Sequence, residues 1–292
     1  MLNSAAVDYL GHSGFSVDFD GDVVIIDYFK HHLTNKWTTP LLKNPETYRS
    51  VTVLVSHGHK DHFNSKIFTW RKERPDITYV ISADVREQAE TELKSMEQKG
   101  HDIEGTPNII YLERGGKAVV NRHRIMAFGS TDEGISFHVF SNNVSIFHAG
   151  DLNYWHWADE ASEEEVRTAK EAFIHELKYI REEISDLDIA FFPVDPRMGT
   201  DFYRGAILFC EAMKPNWLVP MHYKKGFIFP HEFLNDINTW CCFTKLEPGR
   251  GPVEFERNPD KKKENKLRRT DNEDANEDEN DGENDNEKVK GG

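Results

Sequence analysis

Residues 51–62 read V-T-V-L-V-S-H-G-H-K-D-H. The first five are apolar or β-branched, the pattern of a buried strand, and the next seven leave it as a tight loop. His57, His59, Asp61 and His62 therefore issue from one strand end within six positions. A chain that buries this strand must also accommodate four metal-binding side chains at its tip. Neutral imidazole and carboxylate are the donors expected for zinc, manganese or iron, at ~2.0–2.2 Å for zinc. The two imidazoles of H-x-H project to one side of an extended loop, and the Asp-His pair on the following turn can face a second ion.

Other apolar strands end in the same way. Residues 7–10, 15–19 and 23–27 read as a meander, with His12 between Gly11 and Gly14 at a strand junction. Strands are predicted over 77–81, 108–112, 118–120, 125–128, 135–140 and 144–147, with Ser141-Asn142-Asn143 as a hairpin turn between the last two. The 144–147 strand runs into His148-Ala149-Gly150-Asp151, and Asp151 is the natural carboxylate to bridge two ions ~3.5–4 Å apart. Strand 188–194 precedes Asp195-Pro196-Arg197, and strand 217–221 ends in His222-Tyr223-Lys224-Lys225. Helices are predicted over 67–74, 83–97, 162–184 (opened by a Ser162/Glu165 capping box), 201–213 (capped by Asp201) and 230–240, and a closing strand over 243–246.

The net charge of −15 is unevenly spread: from Asp271 onward ten acidic residues face only Lys288 and Lys290, a balance of −8. Residues 1–257 are expected to form one domain and 258–292 a disordered charged tail, too poor in apolar groups to offset its ordering entropy. Lys261-Lys262-Lys263, Lys266, Arg268 and Arg269 read either as a nuclear-import or nucleic-acid patch or as a solvated basic segment. The folded part has no obvious basic face, which argues against a nucleic-acid partner. No signal peptide or spanning segment is evident, and three cysteines without C-x-x-C suit a reducing cytoplasm. His31 and His32 read as an exposed loop, and His123 and His138 as structural.

The chain resembles the metallo-β-lactamase-fold hydrolases, in particular the lactonase-like branch that includes ascorbate-6-phosphate lactonase-type proteins. The resemblance is carried by Leu10-Gly11-His12-Ser13-Gly14-Phe15, Ile25-Ile26-Asp27, Ser56 to His62, Ile146 to Asp151, Ala190 to Pro193 and Val219 to Tyr223, in the family's order over roughly residues 6 to 250. It implies an α/β fold, an αββα sandwich of two mixed β-sheets flanked by helices, with the site along one edge. It further implies His57 and His59 as ligands of a first ion, Asp61, His62 and His222 of a second, and Asp151 as the bridge. Asp61 would also orient the attacking hydroxide. Asp27 matches an acidic position that holds a ligand imidazole, and His12 is either a contact of the site or a packed histidine.

One departure stands out. The family's third histidine for the first ion is missing from the loop before Ile135, which reads F-G-S-T-D-E-G. Asp132 is the expected replacement, favouring manganese or iron there; the alternative is one firmly held ion. Tyr154, Trp155, His156 and Trp157 either wall a substrate pocket or pack a helix, and Lys224 and Lys225 either receive a phosphate or carboxylate of the substrate or face solvent. The function expected is a metal-dependent hydrolase, zinc being the first choice of one or two divalent ions. A metal-bound hydroxide would attack a small ester, lactone or phosphoester. A nucleic-acid phosphodiesterase and a catalytically weak metal- or ligand-binding relative are the alternatives. The oligomeric state is not readable.

Overall fold

The computed structural model describes residues 4–29, 47–99 and 105–257. One seven-stranded sheet contains β1 (Ser4–Gly11), β2 (Gly14–Phe19), β3 (Asp22–Ile26), β4 (Ser50–Val55), β5 (Thr78–Ser82) and β6 (Asn108–Leu112), in the order β14-β1-β2-β3-β4-β5-β6. The second runs β13-β12-β11-β10-β9-β8-β7, from β7 (Lys117–Val120), β8 (His123–Phe128), β9 (Ser136–Ser141), β10 (Val144–His148), β11 (Ile189–Pro193), β12 (Trp217–Met221) and β13 (Cys242–Phe243). β14 (Val253–Glu256) closes the first sheet against β1, with Phe255 opposite Ala5. Both sheets are mixed. In the first, β3 to β6 pair in parallel, and in the second, β10 to β13 do so.

Parallel strands are buried on both faces and so read as unbroken apolar runs. On β3 to β5, Val24, Ile26, Leu54 and Val80 face the second sheet, where they meet a core that includes Phe128, Phe137, Ile146 and Phe191. Val23, Ile25, Val53, Val55, Tyr79 and Ile81 face outward, under Ile67, Phe68, Val85 and Ala89. α1 (Arg86–Gln98) supplies Ala89 to that layer. α2 (Glu163–Glu183), α3 (Arg204–Met213) and α4 (His231–Ile237) cover the second sheet with Phe173, Leu177, Phe209 and Phe233. The two mixed sheets with helices outside are the expected sandwich. No helix among the described residues is long and apolar enough to cross a membrane.

Several local expectations need correction. The helix expected over 67–74 is a 3-10 segment, Ser65–Lys72. α3 begins after Tyr203, which makes no side-chain cap, and Asp201 contributes only its carbonyl, to the Arg204 N–H at 2.8 Å. The closing strand is the two-residue β13, and β14 was not foreseen: an edge strand this short shows only the alternation of Val253 and Phe255. His31, His32, the basic run 261–269 and the acidic tail lie outside the described residues.

Candidate metal centre

Parallel strands open their carboxyl ends toward the same rim, where loops can hold a ligand without interrupting the ladder. Here β3 delivers Asp27, β4 delivers His57 to His62, β10 delivers Asp151, β11 delivers Asp195 and β12 delivers His222. Loops from both sheets meet at Asp151. Its Oδ2 lies 3.3 Å from His57 Nε2 and 4.0 Å from His59 Nδ1. Its Oδ1 lies 3.1 Å from His62 Nε2 and 2.9 Å from His222 Nε2. One carboxylate therefore faces two nests of donors, His57–His59–Asp151 and His12–Asp61–His62–His222. Within each, the donor atoms lie within 4.8 Å of one another.

The outward nitrogens are held by a layer of acceptors, which fixes the ring orientations. Asp27 is fully buried at φ 47°. It accepts from the Ser56 N–H at 2.8 Å, from Ser56 Oγ at 2.6 Å and from His62 Nδ1 at 2.7 Å. Ser56 Oγ, having donated to Asp27, can accept from His57 Nδ1 at 3.0 Å. Asp195 accepts from His222 Nδ1 at 3.2 Å and is itself gripped by Arg197 Nε at 2.8 and 3.0 Å. Glu133 lies 3.3 Å from His59 Nε2, so His59 presents Nδ1 to His57 Nε2 at 3.0 Å.

The electrostatics favour positive charge at the centre. Burial alone would depress the His62 imidazolium, yet the Asp27 and Asp151 carboxylates on its two sides raise its pKa to about 10. Burial opposes ionisation of Asp151, and the His222, His57 and His62 imidazoles around it still hold it far below the usual carboxylate range. The His12 imidazole, its Nε2 3.0 Å from Asp61 Oδ2, does the same for Asp61. Asp151 Oδ1 is buried without a hydrogen bond of acceptable geometry although two imidazole nitrogens stand within 3.1 Å. Such an orphaned oxygen among converging imidazoles fits a divalent ion, for which the donor types are also right.

Loop geometry decides the remaining candidates. Asp132 and Glu133 are both exposed and belong to neither nest; of the two, it is Glu133 that approaches the outward nitrogen of His59, at 3.3 Å. The expected replacement of the missing histidine by Asp132 is therefore corrected. The loop is pressed onto β4 at Gly134 (φ 71°), where a Cβ would run into the Ser56 carbonyl. His156 is also corrected: its Nε2 donates to the Asp201 carbonyl at 3.1 Å, and its Nδ1 accepts from the Ala158 N–H at 3.1 Å. It braces backbone. Tyr154 packs in the core against Phe173, whereas Trp155 lies 5.9 Å from the His222 ring.

His12 comes to the site, its Nε2 3.0 Å from Asp61 Oδ2. Lys225 is exposed and lines, with Lys224, Tyr9, His12, Phe29 and Tyr223, a cavity of about 470 Å³ beside the centre. Asp195, Glu133 and Ser56 were missed as site residues. Asp195 carried the same signal as Asp27, a carboxylate directly after an apolar strand; nothing local distinguishes Glu133 from Asp132.

Known proteins resemble the chain along most of its length. A metal-dependent hydrolase of Bacillus cereus, of the kind named UPF0173, is 23% identical over 252 residues, covering 83% of this chain and 97% of the relative; one from Bacillus anthracis matches equally. Among solved structures, a metallo hydrolase of the archaeon Ignicoccus hospitalis superposes with a TM-score of 0.61 at 21% identity, covering 87% of this chain and all of that one. The diiron β-hydroxylase CmlA of Streptomyces venezuelae gives 0.56 at 9%, covering 87% of this chain and 54% of that one. At such identities the structures speak for the fold alone. The model of the beta-lactamase superfamily domain matches residues 24–223, more than half of the sequence, and the chain belongs to that superfamily.

Proposed function

We propose that this metal-dependent hydrolase cleaves a small ester or lactone carrying an anionic group, at the centre built around Asp151. The observation that carries the reading is the convergence of strand-end donors from both sheets on the two oxygens of that one carboxylate. His57, His59 and Asp151 would hold one ion, and Asp61, His62, His222 and Asp151 another; zinc is our first choice, with manganese or iron also suited to the donors. A divalent ion bound there supplies an activated water and a counter-charge for the oxyanion formed on attack.

The chain's own residues do the rest. Asp61, kept ionised by His12 and half-exposed at the mouth, accepts a hydrogen bond from the attacking water and orients it. Asp27, Ser56 and Asp195 keep the imidazoles aimed inward. The adjoining cavity has the volume of a small-molecule site and walls of Tyr9, Phe29 and Tyr223. Lys224 and Lys225 stand at it, and the one carboxylate in its lining, Glu247, is paired with Lys245 at 3.0 Å, which is the basis for expecting an anionic substituent. A somewhat larger cavity, about 520 Å³, lies on the second sheet around Met126, His138 and Phe140, away from these donors, and we assign it no part in the reaction. Cys210, Cys241 and Cys242 form no disulfide among the described residues, in keeping with a cytoplasmic setting.

The test is turnover of a panel of lactones, carboxylate esters and phosphate esters before and after chelation, with metal content counted. Turnover should vanish with the metal and return on reconstitution. Full activity in chelator-stripped protein would end the proposal.

A further inference from the structure

The two nests at Asp151 are unequal. The first has His57, His59 and one oxygen of Asp151; the second has His12, Asp61, His62 and His222, with the other Asp151 oxygen 2.9 Å from His222 Nε2. We propose that the protein holds one ion tightly, in the second nest, with His12 as an added nitrogen ligand, while the first nest binds an ion only weakly. The proposal rests on reading the centre as a metal site.

The geometry of His12 points this way. Its Nε2 is a buried atom with no hydrogen bond of acceptable geometry, although Asp61 Oδ2 stands 3.0 Å away. Two donors so placed aim at a common point rather than at each other. Two ~2.1 Å bonds on opposite sides of an ion span about 4.2 Å, so a group contained within 4.8 Å is close to its bound size. The backbone is arranged to keep the ring there. His12 sits at φ 53° and His222 at φ 66°, conformations that cost of order 1–3 kcal/mol in a non-glycine residue. The His12 carbonyl accepts from Tyr9 Oη at 2.8 Å and from the His222 N–H at 3.2 Å, and the two imidazole rings lie 4.1 Å apart.

The first nest lacks such support. Its His59 side chain is 44% exposed, and the carboxylate that approaches it, Glu133, engages the nitrogen pointing away from His57. Among the described residues three donors thus stand on one side, and His12 raises the other side to five with Asp151.

Calorimetric titration of metal-depleted protein with Zn²⁺ tests this without turnover. Wild type should take up one ion tightly and a second about 100-fold more weakly. His12→Asn suits a left-handed backbone and withdraws the nitrogen that stands at Nε2. Loss of a ligand should weaken the tight site by at least the roughly 10–100-fold that loss of an outer partner costs. The visible spectrum of the Co²⁺ form should change as the coordination number falls. His12→Gln serves as the second variant, and melting curves of the metal-depleted proteins separate misfolding from lost ligation. Two ions of equal affinity in wild type, or variants with wild-type affinity and Co²⁺ spectrum, would overturn this inference and leave the metal centre standing. Wild-type protein that binds no ion would overturn both.

Discussion

Replacing Asp27 by Asn tests how far the metal centre depends on a residue that touches no ion. The substitution keeps shape and one oxygen, so the Ser56 N–H at 2.8 Å retains its acceptor. It places an amide NH₂ where Oδ2 receives Ser56 Oγ at 2.6 Å and His62 Nδ1 at 2.7 Å, so two donors meet a donor. A hydrogen bond to a charged group contributes ~1.5–3 kcal/mol, and loss of such an outer partner typically weakens metal binding about 10–100-fold. Proton competition gives the effect a pH signature. The His62 pKa is raised to about 10, so below that pH an incoming ion must displace a proton, and affinity should climb as pH rises toward 10. Without the Asp27 charge the imidazolium is less stable, its pKa falls, and the climb flattens.

The two effects oppose each other near neutrality and separate in alkali. At pH 9 the variant should bind Zn²⁺ about 10–100-fold more weakly than wild type, and its affinity should change less between pH 7 and 9. Competition against a chromophoric chelator at both pH values reads this directly. Equal affinity at pH 9 together with a wild-type slope would refute the claim that Asp27 positions His62.

Three further outcomes are expected. Asp132→Ala should leave metal stoichiometry and affinity unchanged, and Glu133→Ala should weaken the first position by no more than about fivefold, the scale of a half-exposed pair; a large loss from Asp132→Ala in elemental analysis would reverse the assignment. Lys225→Gln should raise KM for carboxylate-bearing esters about 3–10-fold, equivalent to ~1 kcal/mol, and leave neutral esters and kcat alone; an equal effect on both ester types would remove Lys225 from recognition. His123 is fully buried with both nitrogens unpartnered, and burial pushes its pKa down to about 4. Because the unfolded chain takes up this proton first, at about 6.5, the stability is complete above that pH and is lost as pH falls toward 4, by roughly 3 kcal/mol. His123→Leu should flatten urea stability against pH in that window, and parallel curves would contradict it.

The sheet interiors were readable because burial on both faces makes β4, β10, β11 and β12 predominantly apolar. The principal donors were readable because each follows such a run within a few positions, so its distance from the core is set by strand length alone. What escaped depends on contacts between loops. That Glu133 and not Asp132 approaches His59 belongs to a loop that Gly134 brings against Ser56, residues far apart in sequence. His156 follows the bridging carboxylate as a pocket residue would, yet the Asp201 carbonyl and Ala158 N–H occupy both its nitrogens. Asp195 needed no tertiary knowledge; it was read as the start of a loop.

The donors are divided between the sheets. Loops of the first supply His12, Asp27, His57, His59, Asp61 and His62; loops of the second supply Asp151, Asp195 and His222. Across the seam the carboxylates of Asp27, Asp61, Asp151 and Asp195 are all held below their ordinary pKa, so the rim concentrates negative charge that a divalent ion offsets. An ion bound there would add a link between two sheets that apolar packing and a few hydrogen bonds, such as His222 N–H to the His12 carbonyl at 3.2 Å, already join, and it would bind only when both are folded. At a free ion concentration 100 times its Kd it stabilises the fold by about 2.7 kcal/mol, which for a domain this size raises Tm by about 5–10 °C. Scanning calorimetry with and without Zn²⁺ should show that shift in wild type and lose it in Asp151→Asn, where both nests lose an anionic donor. A Tm that ignores saturating metal in wild type would mean that the ion does not span the sheets.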